Sequence, residues 1–381
     1  MSEIKSKIKE KEVKIDSFIE KDIYVASQWK LMWWRFRKHK LAILAGVVLI
    51  ILYSMAILAP FLSPYDPHQK SLAYKQAPIQ KIHFVGENGF SLRPFVYPLA
   101  SEMDMESFET IYKINKSKAY PLYFFVRGYN YNFFGLFQSN LHLFGTGEEK
   151  VPVHLFGTDR LGRDLFTRIL YGARISLSIG LIGVFISLFL GILVGGLGGY
   201  YGGTIDLFIQ RVIEILRSIP QLPLWMGLSA AIPASWPPLR VYFSITIILS
   251  LVGWTGLARV VRGKFLSLRE EDFVVAAKLA GRNQLEIIFL HMLPSFLSHI
   301  IASLSLAIPA MILGETSLSF LGIGLQPPII SWGVLLNKAQ NIHTMAMAPW
   351  LMIPGIFIII TVLAFNFLGD GLRDAADPYS H

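Results

Sequence analysis

Long apolar blocks alternate with shorter polar segments over most of this chain. Six blocks stand out: Leu41–Leu62, Ile175–Leu197, Val212–Ile232, Val241–Ala258, Leu293–Leu313 and Pro349–Leu368. The first is uncharged, and at ~1.5 Å of rise per residue it can cross a hydrocarbon core ~30 Å thick. The pattern predicts an all-α polytopic membrane protein with six transmembrane helices. Pro220 and Pro223 interrupt the third block. A membrane helix tolerates them where its neighbours re-satisfy the freed backbone groups.

The polar segments orient the blocks. The tail before the first block is rich in Lys and Arg, and the loop between blocks four and five holds Arg259, Arg262, Lys264, Arg269, Lys278 and Arg282. The loop before block four holds only Arg240, and the connection between blocks five and six only Lys338. Six crossings place the basic tail and the basic loop on one side, and the bias of Lys and Arg toward cytoplasmic segments makes that side the cytoplasm. The chain then divides into a cytoplasmic tail (1–40), a first crossing (41–62), an external insert with an amphipathic helix (63–170), a transmembrane core (171–369) with a cytoplasmic loop at 263–292, and a cytoplasmic C-terminal tail (370–381).

Residues 1–28 alternate Lys and Glu without an apolar period, as a mobile or loosely helical tail would. "WKLMWWRFRKHK" (Trp29–Lys40) suits an interfacial helix, and a simple positive-inside anchor equally. In the insert, "YPLYFFVRGYNYNFFGLFQSNLHLFG" (Tyr120–Gly145) combines dense aromatics with spaced glycines, which predicts short strands and turns in a small domain lying against the membrane. Its aromatics fit headgroup anchoring or contact with an external partner.

Composition narrows the chemistry. The 381 residues are 53% hydrophobic and 16% charged, with a net charge of +9. Soluble domains are about a quarter charged. The positive charge lies beside apolar spans, so topology explains it better than nucleic acid does. With no cysteine, disulfides, thiolate metal sites and Cys nucleophiles are excluded. No Ser/His/Asp set, carboxylate pair or His cluster at ligand spacing points to enzyme chemistry, a metal or a cofactor.

"GTDRLGRD" (Gly157–Asp164) approaches the phosphate-binding pattern G-x-x-x-x-G-K-[ST], but Arg163 replaces the Lys and Asp164 replaces the hydroxyl. A carboxylate there repels phosphate. The structural expectation is that Thr158 or Asp159 caps a short helix leading into the second crossing. Glycines from Gly191 to Gly203 give overlapping small-xxx-small patterns, suited to close helix packing or to a hinge. Asp206, Arg211, Glu214 and Arg217 are spaced to pair as a charge network before the third crossing. Glu315 and His299 are ionisable groups at depth, open to a role in a translocation path or to structural bonding.

The loop "EEDFVVAAKLAGRNQLEIIFLHMLP" (Glu270–Pro294) carries the densest local signals. Ser267 with Glu270 reads as a capping box, and Glu270, Glu271 and Asp272 load a first helical turn with negative charge. Phe273, Ala276, Ala277 and Ala280 share a face on which another backbone can approach closely, with Phe273 as its anchor. Gly281 suits the left-handed position that ends a helix, Asn283 can cap a second helix, and Pro294 fits the start of block five. The loop is thus expected to be a rigid helix–turn–helix tied to two membrane helices.

Ala276-Ala277, Gly281 and the later Leu293-Pro294 resemble the cytoplasmic "EAA" loop of ABC importer permeases, although Val275 stands where that triplet commonly has Glu. "WWRFRKHKLAILAGVVLIIL…APFLSPYDP", "HLFGTDRLGRDLFTRILYGARISL", "GETSLSFLGIG" with "SWG", and "NFLGDGLRDAADP" resemble signatures of C-type permease subunits of dipeptide and oligopeptide ABC importers. The resemblance covers about 29–67 and 151–378. It implies a five-helix type I importer core plus an N-terminal helix. It also implies a B-type permease partner, two ATPase subunits that hold ATP and Mg, and an external binding protein that selects the solute. The loop residues Glu271, Asp272, Phe273, Ala276, Ala277, Ala280, Gly281, Leu293 and Pro294 would then dock on an ATPase subunit. Relatives in this family carry peptides, oligosaccharides or nickel.

Overall fold

The computed structural model describes residues 28–86, 89–103, 105, 110–147 and 151–376, and only the backbone of Gln28, Met103, Ser298 and His299. Most of the tail expected at 1–28, and residues 377–381, lie outside the described residues. After the short α1 (Gln28–Phe36), α2 (Lys40–Ile57) and α3 (Ala59–Leu62) come, among the described residues, seven strands, then α4 (Leu165–Tyr201), α5 (Gly203–Ser218), α6 (Gln221–Ala230) and α7 (Pro238–Leu268). The loop contains α8 (Asp272–Leu279), α9 (Gln284–Glu286), a π-helical turn at Ile287–Met292 and α10 (Leu293–Ser295). The chain closes with α11 (Leu297–Phe320), α12 (Trp332–Asn337), α13 (Ile342–Met347) and α14 (Ile353–Ala376).

Among the described residues, α2, α4, α7, α11 and the last helix, counted from Pro349, are long and apolar enough to cross a membrane. The block expected as a third continuous span is instead broken into α5 and α6 at Ile219-Pro220, because each proline removes a backbone donor and Pro220 ends the first helix. The crossing itself survives the break. Helices α4 and α7 pack in parallel: Ser250 Oγ donates to the Gly183 carbonyl at 3.0 Å, Gly191 lies against Leu257, and Gly199 lies against Arg262. The chain between two parallel membrane helices must return across the bilayer. Asp206 at the start of α5 meets Arg262, Ile213 packs with Trp254 and Ala258, and Trp225 in α6 packs with Leu249, so the pair α5–α6 retraces α7 step by step.

The glycine stripe of α4 sets the closeness of this packing. A Cβ on Gly199 would lie 2.7 Å from the Arg262 carbonyl oxygen, and one on Gly191 would lie 2.9 Å from the Leu257 side chain. The stripe is therefore a packing face. Its end is also a sharp turn: Gly202 and Gly203 both have positive φ, +65° and +56°, a conformation costly for residues with a Cβ.

The strands make three small sheets on one side of the helices. β1 (His83–Gly86), β2 (Gly89–Val96) and β5 (Tyr120–Pro121) form one, β3 (Leu99–Met103) and β4 (Thr110–Ile114) a second, and β6 (Tyr123–Phe133) with β7 (Phe137–Gly145) a third. All the pairings are antiparallel. The strands expected from the aromatic segment are thus present. The sheets join the start of α4 through the 157–164 loop. There Thr158 Oγ1 accepts from the Ala77 amide at 2.8 Å, and Asp159 accepts from the Leu161 and Arg163 amides at 2.9 and 3.0 Å. The expected cap is corrected by one turn of chain: Asp164 caps α4, its Oδ2 accepting from the Thr167 amide at 2.7 Å, while Thr158 and Asp159 fold the loop.

On the opposite side lie α1, the loop 269–292 and the end of α14. His39, just before α2, approaches Asp374 at 3.6 Å, and Gly371 sits on Ala42. The insert and the loop are therefore on opposite faces of the bundle. Gly199→Val should force the parallel helices apart and destabilise the chain by about 1–3 kcal/mol or more, since overpacking there meets backbone. Thermal unfolding of the purified protein in detergent measures it, and Gly256→Val, where a Cβ would meet open space, should change it little.

Candidate functional site

The loop joining α7 to α11 is built from the inside outward. Val274 and Ala277 of α8 turn inward with Ile287, Ile288 and Met292, and pack on Val261 and Phe265 of α7 and on Phe296 and Ile300. Val274 and Met292 are completely buried. Burial of each such side chain is worth about 1.5–3 kcal/mol, so the loop is bolted to both membrane helices it connects. It also reaches the end of α4. The Lys278 ammonium lies 5.4 Å from the Tyr200 ring centre, and the Tyr201 hydroxyl bonds Gln284.

Caps fix the turn. Gly281 has φ +72°, the left-handed conformation expected of a helix-ending glycine, and the Arg282 amide donates to the Ala277 carbonyl at 3.2 Å. Asn283 Oδ1 accepts from the Glu286 amide at 2.8 Å, as its predicted capping role requires. The capping box at Ser267 is not formed. α7 runs to Leu268, about three helical turns beyond the Ala258 at which its apolar block ends, Ser267 Oγ donates to the Lys264 carbonyl, and Glu271 precedes α8 instead.

The outward face differs from the expected one by one residue. Glu271, Asp272, Phe273, Ala276, Ala280 and Gly281 are exposed, but Ala277 is buried, and the residue outside in its stead is Leu279 at 84% exposure. Both 273–276–277–280 and 273–276–279–280 fit a helical stripe, and only packing chooses between them. A small residue inward lets α8 sit close on Phe265, and the large Leu279 is left for another surface. A leucine beside three alanines and a lysine was the available signal. Leu285, also exposed, extends the apolar strip beyond the turn. Leu293 is half-buried and Pro294 exposed, inside α10 and before α11.

The expected charge network is divided in the structure. Asp206 makes a two-point ion pair with Arg262 of α7, its Oδ2 2.5 Å from the guanidinium, whereas Arg211 and Glu214 pair with each other at 2.8 Å on the exposed side of α5. Arg217 is exposed at the end of α5. The sequence spacing could not reveal Arg262, which is distant in the chain.

Glu315 is fully buried in α11. Ser319 and Ser331 donate to its Oε1 at 2.8 and 2.7 Å, and Ser176 of α4 donates to Oε2 at 3.4 Å. Each serine in turn accepts from a backbone amide, those of Leu325, Val334 and Trp332, at 3.0–3.2 Å. The carboxylate thus closes three relays that satisfy the backbone of the turns after α11. The side chain of His299 lies outside the described residues.

Two family models match this chain: the binding-protein-dependent transport system inner membrane component over residues 187–379, and the N-terminal transmembrane domain of oligopeptide transport permease C over residues 27–78. The chain belongs to the binding-protein-dependent transport inner membrane component family. It is a multi-pass permease subunit, a non-catalytic membrane component. The permease is 34% identical to the dipeptide transport system permease protein DppC of Bacillus subtilis over 91% of this chain and 84% of that one. It is 43% identical to the oligopeptide transport system permease protein OppC of Haemophilus influenzae over 59% of this chain and 70% of that one. It is 30% identical to the glutathione transport system permease protein GsiD of Pectobacterium atrosepticum over 94% and 93%. The matched core of the permease contains α8, the turn and Glu315.

Glu315→Ala should leave three seryl hydroxyls without their buried acceptor and lower stability by about 1–3 kcal/mol per donor stranded, while Glu315→Gln, which keeps an acceptor, loses less. Thermal unfolding in detergent reads this directly. An Ala variant as stable as the parent, with transport lost, would assign Glu315 to the path instead.

Proposed function

We propose that this permease subunit couples ATP hydrolysis by separate ATPase subunits to the import of di- and oligopeptides. The observation that carries the reading is the loop 269–292, a capped helical elbow bolted to α7, α11 and α4, which presents Phe273, Ala276, Leu279 and Ala280 beside Glu271 and Asp272. An apolar anchor ringed by charge is the surface composition of a protein interface centre. A packed cluster does not compress, so displacement of the elbow displaces the membrane helices.

In this reading the face that bears α1, the elbow and the end of α14 is cytoplasmic, because Arg35, Arg37, Lys38, Arg269, Arg282 and Arg373 gather there. ATP and Mg are held by two ATPase subunits, and this chain contributes no nucleotide site of its own. A second, B-type permease subunit completes the translocation path in the inner membrane of a prokaryote. An extracytoplasmic binding protein delivers the solute on the side of the insert. Peptides are favoured as the solute because the similar permeases serve dipeptide, oligopeptide and glutathione transport.

Leu279→Asp removes the exposed anchor without touching the buried side of α8. ATPase subunits should then bind the permease at least about 30-fold more weakly, equivalent to ~2 kcal/mol, with unchanged melting of the permease itself. Peptide uptake in whole cells should fall in parallel. Undiminished co-purification and uptake in this variant would refute the coupling surface.

A further inference from the structure

We propose that the hairpin of β6 and β7 binds lipid: its tip, Phe133–Phe137, inserts into the leaflet on the insert's side of the membrane, beside the last turn of α2. This stands independently of the transport reading.

The hairpin descends along the outer end of α4. Near its open end, Phe144 meets Phe166 with ring centres 5.8 Å apart. Midway, the Tyr129 hydroxyl lies 2.9 Å from that of Tyr171 and 3.0 Å from Ser63 Oγ, and His142 Nδ1 lies 3.0 Å from the Pro60 carbonyl. At the tip, the Phe134 ring stacks 5.0 Å from the Arg174 guanidinium, which donates to the Ala56 and Ile57 carbonyls at 2.7 and 2.8 Å. Phe166, Tyr171 and Arg174 lie successively deeper in α4, a descent of ~12 Å from the first to the last at ~1.5 Å per residue. The tip is therefore level with the C-terminal turn of a membrane-crossing helix.

Its chemistry matches that depth. No charged residue occurs between Arg127 and Glu148. Phe134, Leu136 and Phe137 are exposed, Leu136 at 80%, and they continue an apolar surface already formed by exposed Ile57 and Leu58 of α2 and its end. Phe134 adopts φ +49° and Gly135 φ +75°. Hairpin turns of this kind ordinarily take Asn, Asp or Gly at such positions, since a bulky residue is strained there. In water a phenylalanine would add exposure to strain, whereas in a leaflet its ring gains an apolar solvent. Tyr129 and Tyr131 lie behind the tip, the place of amphipathic rings at a membrane interface.

A benzophenone-bearing amino acid placed at Leu136, and separately at Lys113, in the full chain tests the inference in intact cells. Lys113 lies on exposed β4, whose Tyr112 reaches the Ala73 and Lys75 carbonyls beyond the outer end of α4. After irradiation, position 136 should yield phospholipid adducts at least about tenfold more abundantly than position 113, following the partition of apolar groups into the interface. A protein-sized adduct at 136 would make the tip a protein contact and overturn the proposal. Equal lipid yields at the two positions, or no adduct at 136, would overturn it as well.

Discussion

The fold depends on one close approach, that of α4 to α7 along a stripe of glycines. Inside a bilayer, apolar side chains gain little by leaving lipid for each other, so backbones must come near enough for dispersion contacts to hold helices together. Gly191, Gly195 and Gly199 remove the side chains that would hold the pair apart. Two consequences follow from the parallel direction of the pair. The intervening chain has to cross back, which the broken helix α5–α6 does. The ends of α4 and α7 also emerge together, which gives the elbow a platform of Tyr200, Phe265 and the Arg262–Asp206 ion pair.

Polar groups within the helices follow the same economy of satisfaction. Glu315 would be an expensive residue at depth if it stood alone. Here it terminates relays from three backbone amides through Ser176, Ser319 and Ser331, in a region where the chain turns back and cannot satisfy those amides by regular helix. Asp206 likewise finds Arg262 instead of a neighbour on its own helix. Glu315 and Asp206 are fasteners between elements, whereas the elbow turns charged and apolar side chains outward.

Much of this was legible in the chain before any coordinates. Five of the six apolar blocks each hold a helix long and apolar enough to cross a membrane, since a bilayer permits few alternatives for such segments. Gly281 and Asn283 were legible because helix ends are decided by local backbone groups. Asp206 with Arg262, and Leu279 in place of Ala277 on the outer face, each depend on which distant element packs alongside, and local spacing is silent about that. Asp164 is a local cap, and the error there was in where α4 begins. Ser267 failed because charge within the sequence does not mark where α7 leaves the membrane. The insert disclosed strands through its aromatics and glycines, but not the descent of one hairpin beside α4, which only the positions of Tyr171 and Arg174 define.

The central claim is that the elbow emerges on the ATPase side and is covered there. Because the chain has no native cysteine, a Leu279→Cys variant carries a single thiol at the centre of the surface. A membrane-impermeant maleimide should leave it unlabelled in intact cells, label it in inverted membranes stripped of ATPase subunits, and lose that access when the subunits are restored. Labelling from outside intact cells, or equal labelling with and without the restored subunits, would contradict the account.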